Sequence, residues 1–257
     1  MRLLTLARDL QRRKGRERRS LFVAEGVRAV EEVARSAAGI RGAISSPELE
    51  ETPRGRALLG ELGSRADELL RVTVAEMAQV AGTESPQGVI AIAEIPERSL
   101  DDVTAGAGAR LLVLDGVQDP GNVGTIIRTA AALDAVAVVA LPGTVDLWNA
   151  KVVRGAMGAH LRITAVESGT DDLLSWAERE QVELWLADAA GEPLHAAQVP
   201  SRLGIVLGNE GAGVSGRVRA HATRAIGLPL AAGIESLNVA VAAGIMLYAL
   251  SARRGPS

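Results

Sequence analysis

The sequence predicts an α/β protein: a C-terminal, mostly parallel sheet with helices on both faces, preceded by a smaller α/β domain. Three observations predict it. Short apolar runs alternate with helical patterns along most of the 257 residues, and such alternation implies parallel strands joined by helical crossovers. Strands of the C-terminal half, such as "LLVLD" (111–115) and "VAVVAL" (136–141), are apolar at nearly every position, as strands covered on two faces are. Between the halves, "PERSLDDVTAGAGAR" (96–110) mixes proline, glycine and charge without apolar periodicity, as a linker does. The expected division is therefore a domain over 1–98, a linker over 99–109 and a second domain over 110–257.

In the first domain, β-branched and apolar runs predict strands at "LFVAEG" (21–26), "IRGAISS" (40–46), "LLRVTV" (69–74) and "GVIAIAEI" (88–95). Helices are expected near 26–37, 53–63 and 75–81. The second domain begins with a strand at 111–115 and a helix at 122–133, followed by a strand at 136–141 and a helix at 149–157. A strand at 161–166, a helix at 171–180 and strands at 183–187 and 203–208 come next. A short helix near 215–221, a strand at 224–228 and a closing helix over 237–253 complete the chain. No internal repeat or low-complexity tract interrupts this order.

Composition excludes several functional classes. The chain has no cysteine, which removes disulfides, thiolate nucleophiles, iron–sulfur clusters and Cys-based zinc sites together. His160, His195 and His221 are scattered, so no metal is expected. No apolar run reaches the roughly 18 residues a membrane helix requires, and "MRLLTLARDLQRRKGRERR" is too charged for a secretory signal. A cytoplasmic protein without membrane partners is expected. The net charge of −3 conceals an asymmetry, because residues 1–28 carry nine Arg or Lys against Asp9, Glu17 and Glu25. That basic face is either a phosphate-binding surface or an ordinary solvated helix.

Three glycine-rich segments end strands of the second domain. The first, "LDGVQDPGNVGTIIRTAAAL" (114–133), places Gly121–Gly124 as a turn opening a helix. It is not a dinucleotide fingerprint, because the glycine spacing is wrong and the next strand ends at Pro142–Gly143 without a carboxylate. It is not a P-loop, because no lysine follows the glycines. The second, "LGIVLGNEGAGVS" (203–215), leaves backbone groups open to a ligand at Gly208, Gly211 and Gly213, with Glu210 in the same loop. The third, "IGLPLAAGIESLNVAVAAGIMLYAL" (226–250), enters the closing helix through Ser236, Leu237 and Asn238. Ser236 is either that helix's N-cap or a site residue.

Asn122 with Arg128, then "GNEGAG", then "SLNVAVAAG", in this order, resemble the three motifs of the SpoU (TrmH) family of SPOUT RNA methyltransferases. The resemblance spans 110–250. "SLFVAEGVRAVEEV" and "ESPQGVIAIAE" are similar to the family's RNA substrate-binding domain, which is like ribosomal protein L30e. The resemblance implies S-adenosylmethionine-dependent methylation of a ribose 2'-hydroxyl, a C-terminal trefoil knot and a homodimer. It implies ribosomal RNA as the substrate, with transfer RNA still open. Gly208, Leu228 and Leu237, with Leu207 and Asn209, match the positions that hold the cofactor, largely through main-chain atoms. Arg128, Asn122, Glu210, Ser236 and Asn238 match the catalytic and active-site polar positions. A guanidinium is effectively always charged, so Arg128 is assigned to clamping a phosphate and stabilising the incipient alkoxide rather than to removing a proton. Arg154 in "KVVRGAMGAH" is either an RNA contact or plain helix surface.

Two alternatives follow from the same residues. One is a non-catalytic RNA-binding or ribosome-assembly protein that keeps the fold. The other is an oxidoreductase, disfavoured by the missing ribose-binding acid. With only Phe22, Tyr248 and three Trp, recognition of RNA is expected to lean on phosphate contacts and shape rather than on base stacking.

Overall fold

The computed structural model describes residues 2–251, and the chain forms two compact units. One runs to Glu97 and also takes in Trp148–Arg162; the other comprises Arg98–Leu147 and the chain from Ile163 onward. The segment 148–162, expected in the second domain, thus belongs to the first unit.

The first unit runs through α1 (Arg2–Leu10), α2 (Arg13–Arg19), β1 (Leu21–Glu25), α3 (Val27–Arg35), β2 (Ile40–Ser45), α4 (Pro53–Arg65), β3 (Leu69–Arg71), α5 (Val74–Ala78) and β4 (Val89–Glu94). Its sheet has the order β1-β4-β2-β3; β4 is antiparallel to both neighbours, and β2 and β3 are parallel. Leu3, Ala7 and Leu10 recur at helical spacing and bury one face of α1 against Val23, Ile44, Ile90 and Ile92. Much of the basic run is engaged within the unit. Arg18 and Arg19 both pair with Asp9, at 2.7 and 3.0 Å, and Arg16 is buried and donates to the Leu10 carbonyl.

The second unit contains β5 (Arg110–Asp115), α6 (Pro120–Ala132) and β6 (Ala137–Ala140). Next in the chain, α7 (Ala150–Ala156) belongs to the first unit. The second unit resumes with β7 (Thr164–Glu167), α8 (Thr170–Arg179), β8 (Glu183–Pro193), β9 (Leu203–Gly208), α9 (Gly216–His221), β10 (Arg224–Gly227) and α10 (Val239–Ser251). Its six strands lie in the order β10-β8-β9-β5-β6-β7, and every neighbouring pair is parallel. β5 and β6 are buried throughout, as the apolar runs Leu111–Leu114 and Ala137–Ala140 require; Arg110 and Asp115 at the ends of β5 are buried with them.

Several boundaries differ from the sequence expectation. Leu100, Val103, Ala105 and Ala109 are buried in the second unit's core, so the proposed linker is packed structure. α6 starts at Pro120 with Asp119 as its N-cap; Gly121 and Gly124 therefore lie inside the helix, not in a turn before it. The strand expected at 161–166 begins at Thr164, behind a 3₁₀ turn over Ala159–Leu161. β8 runs on to Pro193 because its register with β10 shifts, pairing Glu192 with Ile226 and Pro193 with Gly227.

Parallel strands end on one edge of their sheet. The loops that follow β5, β9 and β10 therefore converge there, where open α/β sheets place their ligands.

Candidate active site

Asp115 at the end of β5 lies opposite Gly208 at the end of β9, so the two loops start side by side. Side chains then fasten them together. The Asp115 carboxylate accepts from the Ser215 N–H at 2.7 Å. Asn209 Nδ2 donates to the Gly116 carbonyl at 2.8 Å, and its Oδ1 accepts from the N–H groups of Gly211 and Ala212 at 2.9 and 2.8 Å. The backbones of Asn209 and Gly213 exchange two further bonds. This closure leaves no room at Gly208, where a Cβ would stand 2.4 Å from the Gly213 carbonyl carbon. Gly213 itself has φ +71°, which glycine adopts without strain.

A second network joins all three loops. Asp119 caps α6 by accepting from the Asn122 N–H at 2.7 Å, an arrangement typically worth about 1 kcal/mol. The cap holds Asn122 in the first turn of α6. From there Nδ2 donates to Glu210 Oε1 at 3.0 Å, and Oδ1 accepts from Asn238 Nδ2 at 2.9 Å. Asn238 Oδ1 in turn accepts from the N–H groups of Ala240 and Val241. Asn238 therefore caps α10, and the N-cap alternative for Ser236 is corrected. Burial acts to raise the pKa of Glu210, but its own backbone N–H, the Asn122 amide and the N–H groups of Gln118 and Asp119 outweigh it and leave the pKa below the ordinary value. Glu210 is thus an anion held by neutral donors.

Beside this network lies a cavity of about 470 Å³, within the roughly 300–1,000 Å³ typical of small-molecule sites. Leu207, Gly208, Asn209, Glu210, Leu228, Ser236, Leu237 and Asn238 all line it, so eight of the ten residues singled out from the sequence share one space. Leu207, Leu228, Leu237 and Met246 supply apolar surface. Gly208 lines the cavity without a side chain, because the space of a Cβ there is taken by the Gly213–Val214 backbone. An apolar slot beside backbone donors and acceptors suits the adenosine end of S-adenosylmethionine, so these residues fit the cofactor that the resemblance implies.

The other two predicted residues stand apart from the cavity wall. Asn122 reaches it only through Glu210 and Asn238. Arg128, further along α6, is exposed and has no hydrogen-bond or ion-pair partner among the described residues; it does not line the cavity. Gly121 and Gly124 do not line it either. Sequence reasoning missed Asp115 and Asp119, which fix the loops. The Asp-Pro pair at 119–120 was the available signal, since an N-cap followed by proline marks a helix start. It also missed Asp188 and Arg219, an ion pair at 3.4 Å on the cavity wall.

Comparison with known proteins divides the chain near residue 100, with 148–162 inside the C-terminal match although it packs in the first unit. Residues 109–248 match the SpoU rRNA Methylase family, and residues 5–91 match the MRM3-like substrate binding domain. The chain is 37% identical over 172 residues to the 23S rRNA (guanosine(2553)-2'-O)-methyltransferase RlmP of Bacillus subtilis, covering 66% of this chain and 67% of that protein. It is 33% identical over 218 residues to the 23S rRNA (guanosine-2'-O-)-methyltransferase RlmB of Haemophilus influenzae, covering 79% and 86%. The crystal structure of the SpoU methyltransferase AviRb from Streptomyces viridochromogenes in complex with AdoMet superposes with a TM-score of 0.89 at 26% identity, covering 98% and 97% of the two chains.

Proposed function

The chain belongs to the SpoU rRNA methylase family, and from that premise we propose the reaction and the part each side chain plays in it. It is an S-adenosylmethionine-dependent RNA methyltransferase that acts on a ribose 2'-hydroxyl of ribosomal RNA. The observation that carries this reading is the cavity bounded by Gly208, Leu228 and Leu237 with the Asn122–Glu210–Asn238 network at its edge.

When bound, the cofactor supplies a methyl group on a sulfonium, and transfer to the ribose oxygen forms the O–C bond as the S–C bond breaks. A ribose hydroxyl is a weak nucleophile at neutral pH, so the protein must orient it and stabilise charge as it develops. We assign that work to Arg128, which clamps the neighbouring phosphate and faces the incipient alkoxide while the proton leaves to phosphate or water. That it has no partner among the described residues supports a guanidinium kept for substrate. Glu210, Asn122 and Asn238 hold the three loops in register, and Ser236 supplies a hydroxyl on the cavity wall. Leu207, Gly208, Asn209, Leu228 and Leu237 hold the cofactor, with Asn209 acting through the loop it closes.

We propose further that the first unit holds the RNA, as its likeness to an L30e-like domain implies, and that the stretch from β9 through α10 forms the trefoil knot. A homodimer is proposed on α10, whose exposed Val241, Ile245 and Tyr248 form an apolar stripe. The cytoplasm is the proposed location.

The test is transfer of tritiated methyl from S-adenosylmethionine to total RNA lacking this modification, followed by mapping of alkali-resistant dinucleotides. Labelled 2'-O-methyl dinucleotides from ribosomal RNA are expected, and their loss in Arg128→Ala ties them to this site. Cofactor binding with no incorporation into any RNA would transfer the assignment to a non-catalytic RNA-binding protein.

A further inference from the structure

The first unit contains a cleft of about 640 Å³, larger than the cofactor cavity. Three guanidiniums line it: those of Arg28, Arg54 and Arg154. Two are held by buried carboxylates. Arg54 donates from two nitrogens to both oxygens of Glu31, whose pKa is held low chiefly by that contact. Arg154 lies 3.6 Å from Glu25, which is only 5% exposed and also accepts from the Gly82 N–H and the Thr83 hydroxyl. Burying a carboxylate is costly even when it is paired, and the return here is fixed position. The third, Arg28, is exposed, with its guanidinium 3.9 Å from Met157 Sδ.

The rest of the cleft mixes charge and donors: Glu25 and Glu48 also line it, and Glu48 accepts from the Ser46 hydroxyl. α3 has no side-chain cap at Gly26, and Val27, Arg28 and Ala29 of its first turn line the cleft, where a helix start carries N–H groups without intrahelical partners. Gln87 Oε1 accepts from the Val27 N–H at 2.9 Å, which leaves the Gln87 amide nitrogen as a fixed donor. Leu49 and Met157 give the same space an apolar side. Guanidiniums and helix N–H groups suit a phosphate, while a fixed amide beside apolar surface suits a base. Aromatic stacking is not available in its place: Phe22 and Trp148 are buried against each other at 4.7 Å.

We propose that this cleft holds one nucleotide of single-stranded RNA. Its phosphate lies on Arg28, Arg54 and Arg154, and its base lies against Leu49 and Met157 with the Gln87 amide on its edge. The proposal rests on the assignment of ribosomal RNA as substrate and adds to it a second contact point remote in sequence from the methyl-transfer residues. Arg154, open in the sequence between RNA contact and helix surface, is thereby placed in the RNA site.

The test is fluorescence anisotropy of the full-length protein with a short labelled single-stranded RNA of mixed sequence, titrated at several salt concentrations. Arg28→Glu and Gln87→Ala are compared with Arg71→Glu, an exposed arginine of the same unit outside the cleft. Arg28→Glu should weaken binding by about ten-fold or more and lower the salt slope by about one. Gln87→Ala should weaken binding while leaving the slope unchanged, and Arg71→Glu should stay within about two-fold of the parent, since it loses no RNA contact. S-adenosylhomocysteine affinity, measured by calorimetry, should be the same in all four proteins. Equal effects of Arg28→Glu and Arg71→Glu would overturn the cleft, as would displacement of the probe by polyglutamate as readily as by unlabelled RNA. The methyl-transfer assay on the parent judges the reaction separately: transfer with an unaffected Arg28→Glu protein rejects the cleft and keeps the enzyme.

Discussion

Asn122 and Glu210, 88 residues apart in sequence, are joined by a hydrogen bond of 3.0 Å in which the amide donates and the carboxylate accepts. The direction of that bond is what allows Asn122 to present its oxygen to Asn238. Asn122→Asp keeps the shape but removes the donor and places a second carboxylate against the first. Losing a bond to a charged group, with like charges left in contact, costs roughly 2–3 kcal/mol, so turnover should fall by about 30- to 150-fold if the whole cost falls on the transition state. Adding Glu210→Gln supplies a donor again and should recover part of the loss, with a coupling of roughly 1–3 kcal/mol in the double-mutant cycle. Additive losses would show that the two side chains do not act through each other.

Arg128 separates chemistry from cofactor binding, because it is exposed and does not line the cavity. Arg128→Ala should lower turnover by a factor of at least about 100 if the guanidinium stabilises the transition state. S-adenosylhomocysteine affinity by calorimetry should be unchanged. Near-normal turnover would remove the assigned role, and weakened cofactor binding would relocate it.

Glu210 also sets an acid limit on the site. Its folded-state pKa lies below the ordinary 4.5, so its stabilisation is fully present above the unfolded value and is lost as pH falls through the lowered folded value. The difference in melting temperature between the parent and Glu210→Gln should therefore be flat from neutral pH down to the ordinary carboxylate range and shrink only below it. A difference that shrinks already near neutrality would mean that the carboxylate is not held as an anion.

The strand and helix order of the second unit was legible because its strands are apolar on both faces and its helices carry their own end signals. Asp119–Pro120 is one such signal, and reading the glycines as a turn obscured it. The far end of β8 was not legible: "DAAGEP" has the composition of a turn, and it is a strand only because β10 pairs with it across a register shift. The placement of 148–162 in the first unit depends on packing against residues remote in sequence, such as Trp148 on Phe22 and Arg162 on Glu32. Local periodicity carries no record of such partners. In the site, the residue types were visible, but which one capped α10 was decided by the pairing of Asn238 with Asn122, a contact between helices that neither local sequence contains.

Gly208 and Gly216 give a paired test of the closed loop. At Gly208 a Cβ would meet backbone atoms of Gly213 and Val214, at 2.4 and 2.5 Å, whereas at Gly216 nothing lies within 4 Å. Backbone cannot move aside as the end of a flexible side chain can. Gly208→Ala should open the 209–213 loop, lower the melting temperature and weaken S-adenosylhomocysteine by about ten-fold or more, since the loop lines the pocket. Gly216→Ala should leave both unchanged. Equal behaviour of the two variants would mean that the loop is not closed against Gly208 in solution.

The composition of α10 leads to the last prediction. Ala240, Ala243, Met246, Leu247 and Leu250 bury one side of the helix, while Val241, Ile245 and Tyr248 are 50%, 44% and 66% exposed on another. A helix that is apolar all round belongs in an interior, and the four- and three-residue spacing of the exposed trio gives it a continuous strip to offer a second copy. Ile245→Glu and Tyr248→Glu change residues already open to solvent, so each chain should still fold, but each introduces a charge at the centre of the strip. Light scattering coupled to gel filtration should find the parent at twice the chain mass and both variants at the single-chain mass, with unchanged far-ultraviolet circular dichroism. Because an isologous contact sets the strip of one chain against the same strip of its copy, each dimer would bury two new charges, and the loss should be fullest above the ordinary carboxylate range, about 4.3, and smaller below it. A parent that runs as a monomer at all concentrations would leave the strip without this partner, and variants that remain dimeric would move the interface to another face.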